Sequence, residues 1–213
     1  MKKILYSVAL AACCMGTMTS CSDFLDASNK SNVTAKQSFA TKEGLNNLVN
    51  NAYQHLQNVY AAPLFTSCFS AGTDMYADAR NKMNEALNTY ETLTPENTDI
   101  KNLYTYLYSG IRAANSVSYY AQTAQVDEKT KGQLVGEARV LAAYEYYLLV
   151  NNFGGVPIMK DFLTTADTGY PKSSATDVYA YIISELEDVI SKNVLQASTA
   201  TKGGGRISQE TAK

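Results

Sequence analysis

The stretch GEARVLAAYEYYLLVNNFGGVPIM, residues 136–159, decides the fold class, because it shows how a long helix runs and where it must end. Apolar residues recur along it at spacings of three and four, the period of an α-helix with one face turned to a core. We predict a helix from about Glu128 to Asn152 whose packed side carries Leu134, Ala138, Leu141, Tyr144 and Leu148. The glycines and the proline of FGGVP are expected to end it, since none of them continues a helix without cost.

Three further stretches show the same helical period, at residues 41–60, 98–122 and 174–190. Thr41 and Ser174 stand where a side-chain oxygen can cap the first turn of the first and the last of these helices. Five tyrosines fall on the apolar faces of the predicted helices and are therefore assigned to the core: Tyr53, Tyr104, Tyr108, Tyr144 and Tyr179.

The pattern predicts an all-α protein, because no alternating run of strand length lies between the helices. Amphipathic helices of this kind bury their faces by antiparallel packing or by stacking as helix-turn-helix repeats. No strict 34-residue repeat is visible. The segment from Ala61 to about Pro95 is predicted to be a long loop, and long insertions in compact domains often carry function.

The first residues are typical of a secretory signal peptide. Two lysines precede an apolar run, Ile4 to Met15, which is too short to span a bilayer. The run leads into small residues and cysteines, as in proteins whose signal is cut before a lipid-modified cysteine. Cys13 has the better local consensus before it, whereas Cys21 marks the change to a polar segment suited to a tether. Both sites remain open on these grounds.

Composition excludes one broad class of function. The chain has 213 residues, 46% of them hydrophobic and 18% charged, which is enough to bury a sizeable core. Its formal net charge of -2 gives no basic footprint for phosphates, so we predict no nucleic-acid partner. Because the sequence has 16 tyrosines and no tryptophan, any flat platform for a ligand must be built from tyrosine or phenylalanine.

No catalytic, metal or cofactor site is predicted. The single histidine, His55, has no serine motif or second metal ligand at useful spacing and is interpreted as structural. Glu185, Glu187 and Asp188 are predicted to face different directions on a solvated helix face, unlike a convergent glycosidase pair. Cys68, in an apolar segment, is interpreted as a small buried hydrophobe. The glycines of KGGGR lack the spacing of a phosphate-binding loop and predict a turn before a helix.

Near the end of the chain, Ser208 is a candidate N-cap for a helix that stops within about two turns. The sequence therefore ends inside an element, and we expect a fragment of a longer protein.

Five blocks occur in the order found in the N-terminal half of SusD/RagB-family proteins, which the chain resembles: CSDFLD, LYTYLYSGIRAANSV, GEARVLAAYEYYLLVNNFGGVPIM, YPKSSATDVYAYIISELEDVI and GRISQETAK. The third and fourth are the most specific. Two positions depart from the family pattern, since Tyr104 stands where Trp is common and Ala142 where Arg is common. The resemblance covers essentially the whole chain after the signal.

This resemblance implies a non-enzymatic lipoprotein on the surface of the outer membrane that binds a glycan or other nutrient. It also implies a SusC-like TonB-dependent transporter as partner and a tetratricopeptide-like scaffold of helix pairs with long irregular loops. Because CSDFLD resembles the family's mature start, it favours Cys21 as the lipid site. The expected organisation is a signal peptide at 1–20, a polar tether at 21–37 and the N-terminal part of the helical domain at 38–213. The alternatives are a structural or adhesive surface lipoprotein that makes protein contacts, and a non-functional fragment.

The candidate ligand site lies in AGTDMYADARNKMNE, within the long loop. Asp74, Tyr76 and Arg80 fall off every helical face, and the family presents acidic and basic residues to ligand from about this place. We predict that they touch glycan, with tyrosine covering a sugar ring and the charged groups bonding its hydroxyls. The alternative is a surface loop with an internal Asp–Arg contact.

Overall fold

The computed structural model describes residues 34–61, 63–76, 85–165, 169–198 and 205–213. In this part of the chain there are helices and no strands, and the helical unit runs over Ala35–Lys213. Its helices are α1 (Ala35–Ser38), α2 (Lys42–Tyr60), α3 (Leu64–Phe69), α4 (Glu85–Thr89), α5 (Thr98–Ala121), α6 (Glu128–Phe153), α7 (Ala175–Lys192) and α8 (Gln209–Ala212). The predicted all-α class is confirmed.

The predicted helix ends are confirmed, because the expected capping residues are present in the structure and form hydrogen bonds with the helix ends. Thr41 Oγ1 accepts a hydrogen bond from the amide of Gly44 at 3.1 Å, and Ser174 Oγ accepts one from the amide of Asp177 at 3.1 Å. Ser208 caps α8 in the same way. Gly154 ends α6 with φ at 70°, a conformation that residues with a side chain rarely adopt.

The four long helices pack in sequence, α2 on α5, α5 on α6 and α6 on α7. Helices α5 and α6 run antiparallel, because Tyr104 contacts Phe153 and Tyr108 contacts the earlier Tyr146. Helices α6 and α7 do so too, since Tyr146 meets Tyr181 and the earlier Arg139 pairs with the later Glu185. The helix-pair scaffold of tetratricopeptide type is therefore present.

Helix α6 is buried on more of its circumference than predicted, because it packs against α2, α5 and α7. Tyr146 is fully buried, whereas Tyr144, which was assigned to the core, remains 39% exposed. Tyr179, also assigned to the core, is 38% exposed. Both assignments were wrong. A single apolar face cannot describe α6, which has three neighbours, and Tyr179 lies near the start of α7 beside the end of α6, where its hydroxyl donates to Asn151 at 3.2 Å. Tyr53, Tyr104 and Tyr108 do pack against the core, as predicted.

The segment predicted as a long loop is irregular in part, but it contains α3 and α4. Helix α3 packs on α2 and α5, so its apolar residues have a surface to cover. Cys68 lies in α3 and packs against the core, and burial raises the pKa of its thiol to about 11.

The acidic residues of α7 are not a solvated face. Arg139 of α6 donates to Glu185 Oε2 at 2.7 Å and forms a second ion pair with Asp188. Glu185 and Asp188 are three residues apart, a spacing that places them on the same side of the helix. The prediction that they face different directions was wrong; only Glu187 is exposed as expected.

Candidate functional site

A groove of about 730 Å³ lies between α5 and the segment that follows α6. We call it the α5 groove, and its main side chains are Tyr104, Tyr108, Arg112, Asn115, Met159, Asp161 and Tyr170. Its volume is within the range of small-ligand sites, and its lining combines aromatic rings with a few polar groups.

The wall opposite α5 exists because α6 stops at Gly154 and the chain turns back along α5. Tyr108 donates its hydroxyl proton to the carbonyl of Pro157 at 2.7 Å, and Asn115 donates to the carbonyl of Met159 at 2.8 Å. The amide of Met159 in turn donates to the hydroxyl oxygen of Tyr146 at 2.7 Å. These bonds hold the irregular segment against two helices, so the groove is largely formed without a ligand.

Aromatic rings supply the apolar part of the groove. The rings of Tyr104 and Tyr108 lie 4.8 Å apart, and Tyr104 also meets Phe153 edge to face at 5.1 Å. Burial raises the pKa of Tyr108, so its hydroxyl stays a neutral donor. Tyr170 adds a third ring from the other wall. Such rings can cover the apolar face of a sugar.

Arg112 and Asp161 supply the charged part of the groove. The guanidinium of Arg112 lies 5.6 Å from the ring centroid of Phe162, and neither Arg112 nor Asp161 forms an ion pair within the described ranges. Both therefore keep hydrogen-bonding capacity for a ligand's hydroxyl groups.

Two of the predicted ligand residues, Asp74 and Tyr76, do not line this groove. Asp74 is exposed on a turn after α3, and the amide of the half-buried Tyr76 donates to the carbonyl of Thr73 at 3.5 Å. Arg80 lies outside the described residues, as do the signal segment, Cys13 and Cys21. The site of Asp74, Tyr76 and Arg80 therefore stays a prediction.

His55, the residue weighed as a general base, does not line the groove. Burial lowers the pKa of His55, and its Nδ1 is buried without a hydrogen-bond partner in the described part of the chain. Among those same residues no cluster of His, Cys, Asp or Glu could hold a metal ion, and no helix is long and apolar enough to cross a bilayer.

A second aromatic surface lies away from the α5 groove. We call it the aromatic face, and it consists of Tyr60, Phe65, Tyr144, Tyr147 and Tyr179. Tyr179 is joined to the rest through Asn151, which accepts from its hydroxyl at 3.2 Å and donates to the carbonyl of Tyr147 at 2.6 Å. The hydroxyls of Tyr60 and Tyr144 are hydrogen-bonded, and the rings of Tyr144 and Tyr147 are nearly parallel, 6.2 Å apart. Each of its members is at least 37% exposed, so the face is open to a partner.

Sequence reasoning missed the α5 groove because its two walls lie about 50 residues apart in the chain. The usable signal was the polar, half-buried Asn115 between buried residues of α5, since such a residue needs a hydrogen-bond partner from elsewhere. Arg112 was missed because a single arginine on a helix indicates nothing without its surroundings.

Residues 23–202 match the family model described as starch-binding and associated with the outer membrane. The chain belongs to the SusD-like family. A curated SusD-like protein of Formosa agariphila is 28% identical over 190 residues, which are 87% of this chain and 36% of that protein.

Solved SusD-like structures share the fold. Surface glycan-binding protein A from Bacteroides uniformis is 27% identical with a TM-score of 0.67, and the match covers 80% of this chain and 39% of that one. The protein of the same name from Bacteroides fluxus is 22% identical with a TM-score of 0.63, over 79% of this chain and 37% of that one. The SusD-like chain thus spans little more than a third of the length of these relatives.

Proposed function

We propose that this chain is the glycan-binding part of an outer-membrane surface lipoprotein, and that the α5 groove holds a stretch of the glycan. One observation carries the proposal: a preformed groove combines three tyrosine rings with Arg112 and Asp161, which form no ion pair in the described part of the chain. Rings that cover sugar faces, beside charged groups that bond hydroxyls, are the chemistry that carbohydrate recognition needs. The starch-binding character of the family and the glycan-binding role of the Bacteroides uniformis relative support the same class of ligand.

The protein acts by binding rather than by catalysis. Among the described residues that line the α5 groove there is one carboxylate, Asp161, whereas glycoside hydrolysis uses two that converge on the bond. Incubating the purified protein with any polysaccharide it binds should release no new reducing ends. Release that grows with protein concentration would contradict a pure binding role.

The captured glycan is passed to a SusC-like TonB-dependent transporter in the outer membrane. Membership of the SusD-like family supports this partner. Co-purification of the transporter with the tagged protein from detergent-solubilised outer membranes tests it. A lipid on Cys21 provides the anchor, and mass spectrometry should find a lipidated N-terminal peptide that begins at Cys21 rather than at Cys13.

Binding itself is tested by screening the purified protein on a glycan array and titrating the strongest ligand by calorimetry. The alternative site, at Asp74, Tyr76 and Arg80, is tested in the same titration with all three changed to alanine. If that variant binds as the parent does, the loop takes no part in recognition.

The aromatic face favours a second candidate function, a structural or adhesive role through protein contacts. Tyrosines that combine apolar rings with hydroxyl groups are enriched at protein interfaces. A protein captured from the cell surface through Tyr147, without any glycan binding, would support this role in place of the first.

A further inference from the structure

A second, smaller cavity of about 280 Å³ adjoins the α5 groove, and Asn115 lines both. We call it the side cleft. Its floor is made of the small residues Ala114, Ala138 and Ala142, and its walls carry Ser118, Arg139, Lys160, Tyr181, Ser184 and Glu185. The volume suits a single sugar ring, since sites for larger ligands occupy about 300 to 1,000 Å³.

The side cleft contains an ammonium group that can only donate hydrogen bonds. Lys160 carries three N–H donors and no acceptor, and Ser118 offers a hydroxyl. The hydroxyl of Ser184 already donates to the carbonyl of Tyr181 at 2.8 Å, which leaves its oxygen to accept. A ligand that fits this cleft must therefore supply acceptors near Lys160.

The two cations of the side cleft differ in their surroundings. Arg139 is neutralised by Glu185 and Asp188. Lys160 has no carboxylate within ion-pair distance among the described residues, and its ammonium lies 5.6 Å from the ring centroid of Tyr181. Lys160 is therefore the cation that is left for a ligand.

The charged residues around the two cavities also favour an anionic ligand. Three cations, Arg112, Arg139 and Lys160, and two carboxylates, Asp161 and Glu185, line the two cavities. The second partner of Arg139, Asp188, is also paired with Lys192 at 2.7 Å. Four cations therefore stand beside three carboxylates, and one positive charge is left over. Asp161 follows Lys160 in the chain but lines the groove, and the two form no ion pair within the described ranges.

We propose that the side cleft binds the carboxylate of a hexuronic acid residue through Lys160, so that the glycan recognised by this protein is acidic. The inference rests on the proposed glycan-binding function and names the substrate class of its site. The main chain of the glycan lies in the α5 groove, and one uronic acid unit enters the cleft beside Asn115.

The test compares each acidic oligosaccharide with the same compound after chemical reduction of its carboxyl groups. The probes are oligogalacturonide, oligomannuronate and glucuronoxylan oligosaccharides, titrated by calorimetry into the full chain in about 50 mM NaCl, where charge effects are weakly screened. At least one acidic form should bind about tenfold or more tightly than its reduced counterpart, as a charge-assisted hydrogen bond predicts. Lys160→Gln should abolish that difference, and Lys172→Gln, at an exposed position outside both cavities, should preserve it.

Equal affinity for acidic and reduced forms, or a preference that survives Lys160→Gln, would overturn the inference. Dextran sulfate is a further probe, and binding to it but to no uronate would also overturn the inference. If neutral glycans bind on the array while every uronate fails, the proposed function stands and this inference falls. If no glycan of any kind binds, both fall.

Discussion

At the scale of single residues, the least expected feature is an acid in the middle of the core. Glu145 of α6 is fully buried, and neither of its carboxylate oxygens has a hydrogen-bond partner in the described part of the chain. Burial raises the pKa of this carboxyl well above its ordinary value, so it is held in the neutral form. An unpaired polar group in this setting costs stability.

Replacing Glu145 by glutamine should therefore stabilise the protein, and the gain should grow with pH. Below the ordinary pKa of 4.5 both folded and unfolded chains carry the proton, and the variant should resemble the parent. Above it the unfolded chain ionises and the folded one does not, so the parent loses up to about 1.4 kcal/mol per pH unit. Urea unfolding at pH 4.5, 6 and 7.5 measures the difference. Glu187→Gln, at an exposed position on α7, is the control and should show no such trend.

At the scale of helices, the contact between α5 and α6 depends on a glycine. A Cβ placed on Gly110 would collide with the carboxyl group of Glu145, which occupies the space beside this glycine. The side chains tolerated at position 110 of α5 and at position 145 of α6 therefore depend on each other.

Gly110→Ala should destabilise the protein by about 1 to 3 kcal/mol, despite the better helix propensity of alanine, because the core is overpacked. The combination of Gly110→Ala with Glu145→Ala should recover part of this loss. Chemical unfolding of the two single variants and the double variant measures the coupling. Additive effects would show that the two side chains do not meet.

A buried ion pair ties the last described segment to the scaffold. Arg206 Nε lies 2.7 Å from Oε2 of the buried Glu137, and its other nitrogens donate to Asn50 at 2.8 Å and Asn46 at 2.9 Å. The amide of Ile207 donates to the hydroxyl of Tyr53 at 2.8 Å. The arginine thus connects the segment before α8 to α2 and α6.

Arg206→Ala should cost about 3 to 5 kcal/mol, because it leaves the carboxylate of Glu137 buried and without its cation. Lys131→Ala is the control, since Lys131 forms an ion pair with the exposed Glu128 and such pairs contribute at most about 1 kcal/mol. Thermal and urea unfolding compare the two. A cost for Arg206→Ala as small as that of the control would mean that the segment is not held by this pair.

At the scale of the whole molecule, the sequence predicted the helices well and the site poorly. The helix ends at Thr41, Ser174 and Gly154 could be predicted because capping depends on only a few consecutive residues. The pairing of Arg139 with α7 and the exposure of Tyr144 depend on which helices become neighbours, and periodicity within one helix does not contain that information.

In the candidate site, too, local sequence predicted the packing of single residues but not their tertiary neighbours. Tyr104 and Tyr108 were recognised as packed residues, but their second role as a wall of the α5 groove depends on where the chain goes after Gly154. Tyr170 comes from a segment without helical or strand pattern, so no periodicity marked it. Contacts between residues so far apart in the chain are set by the tertiary structure, which the local sequence pattern does not reveal.

The central claim is that the α5 groove holds glycan. The direct measurement is calorimetric titration of the best glycan from the array into the parent protein and two variants, Tyr170→Ala in the groove and Tyr147→Ala on the aromatic face. Loss of one stacked ring, worth about 0.5 to 1.5 kcal/mol beyond its buried area, should weaken binding about tenfold in Tyr170→Ala. Tyr147→Ala should bind as the parent does. Undiminished affinity in Tyr170→Ala, or an equal loss in Tyr147→Ala, would contradict the account.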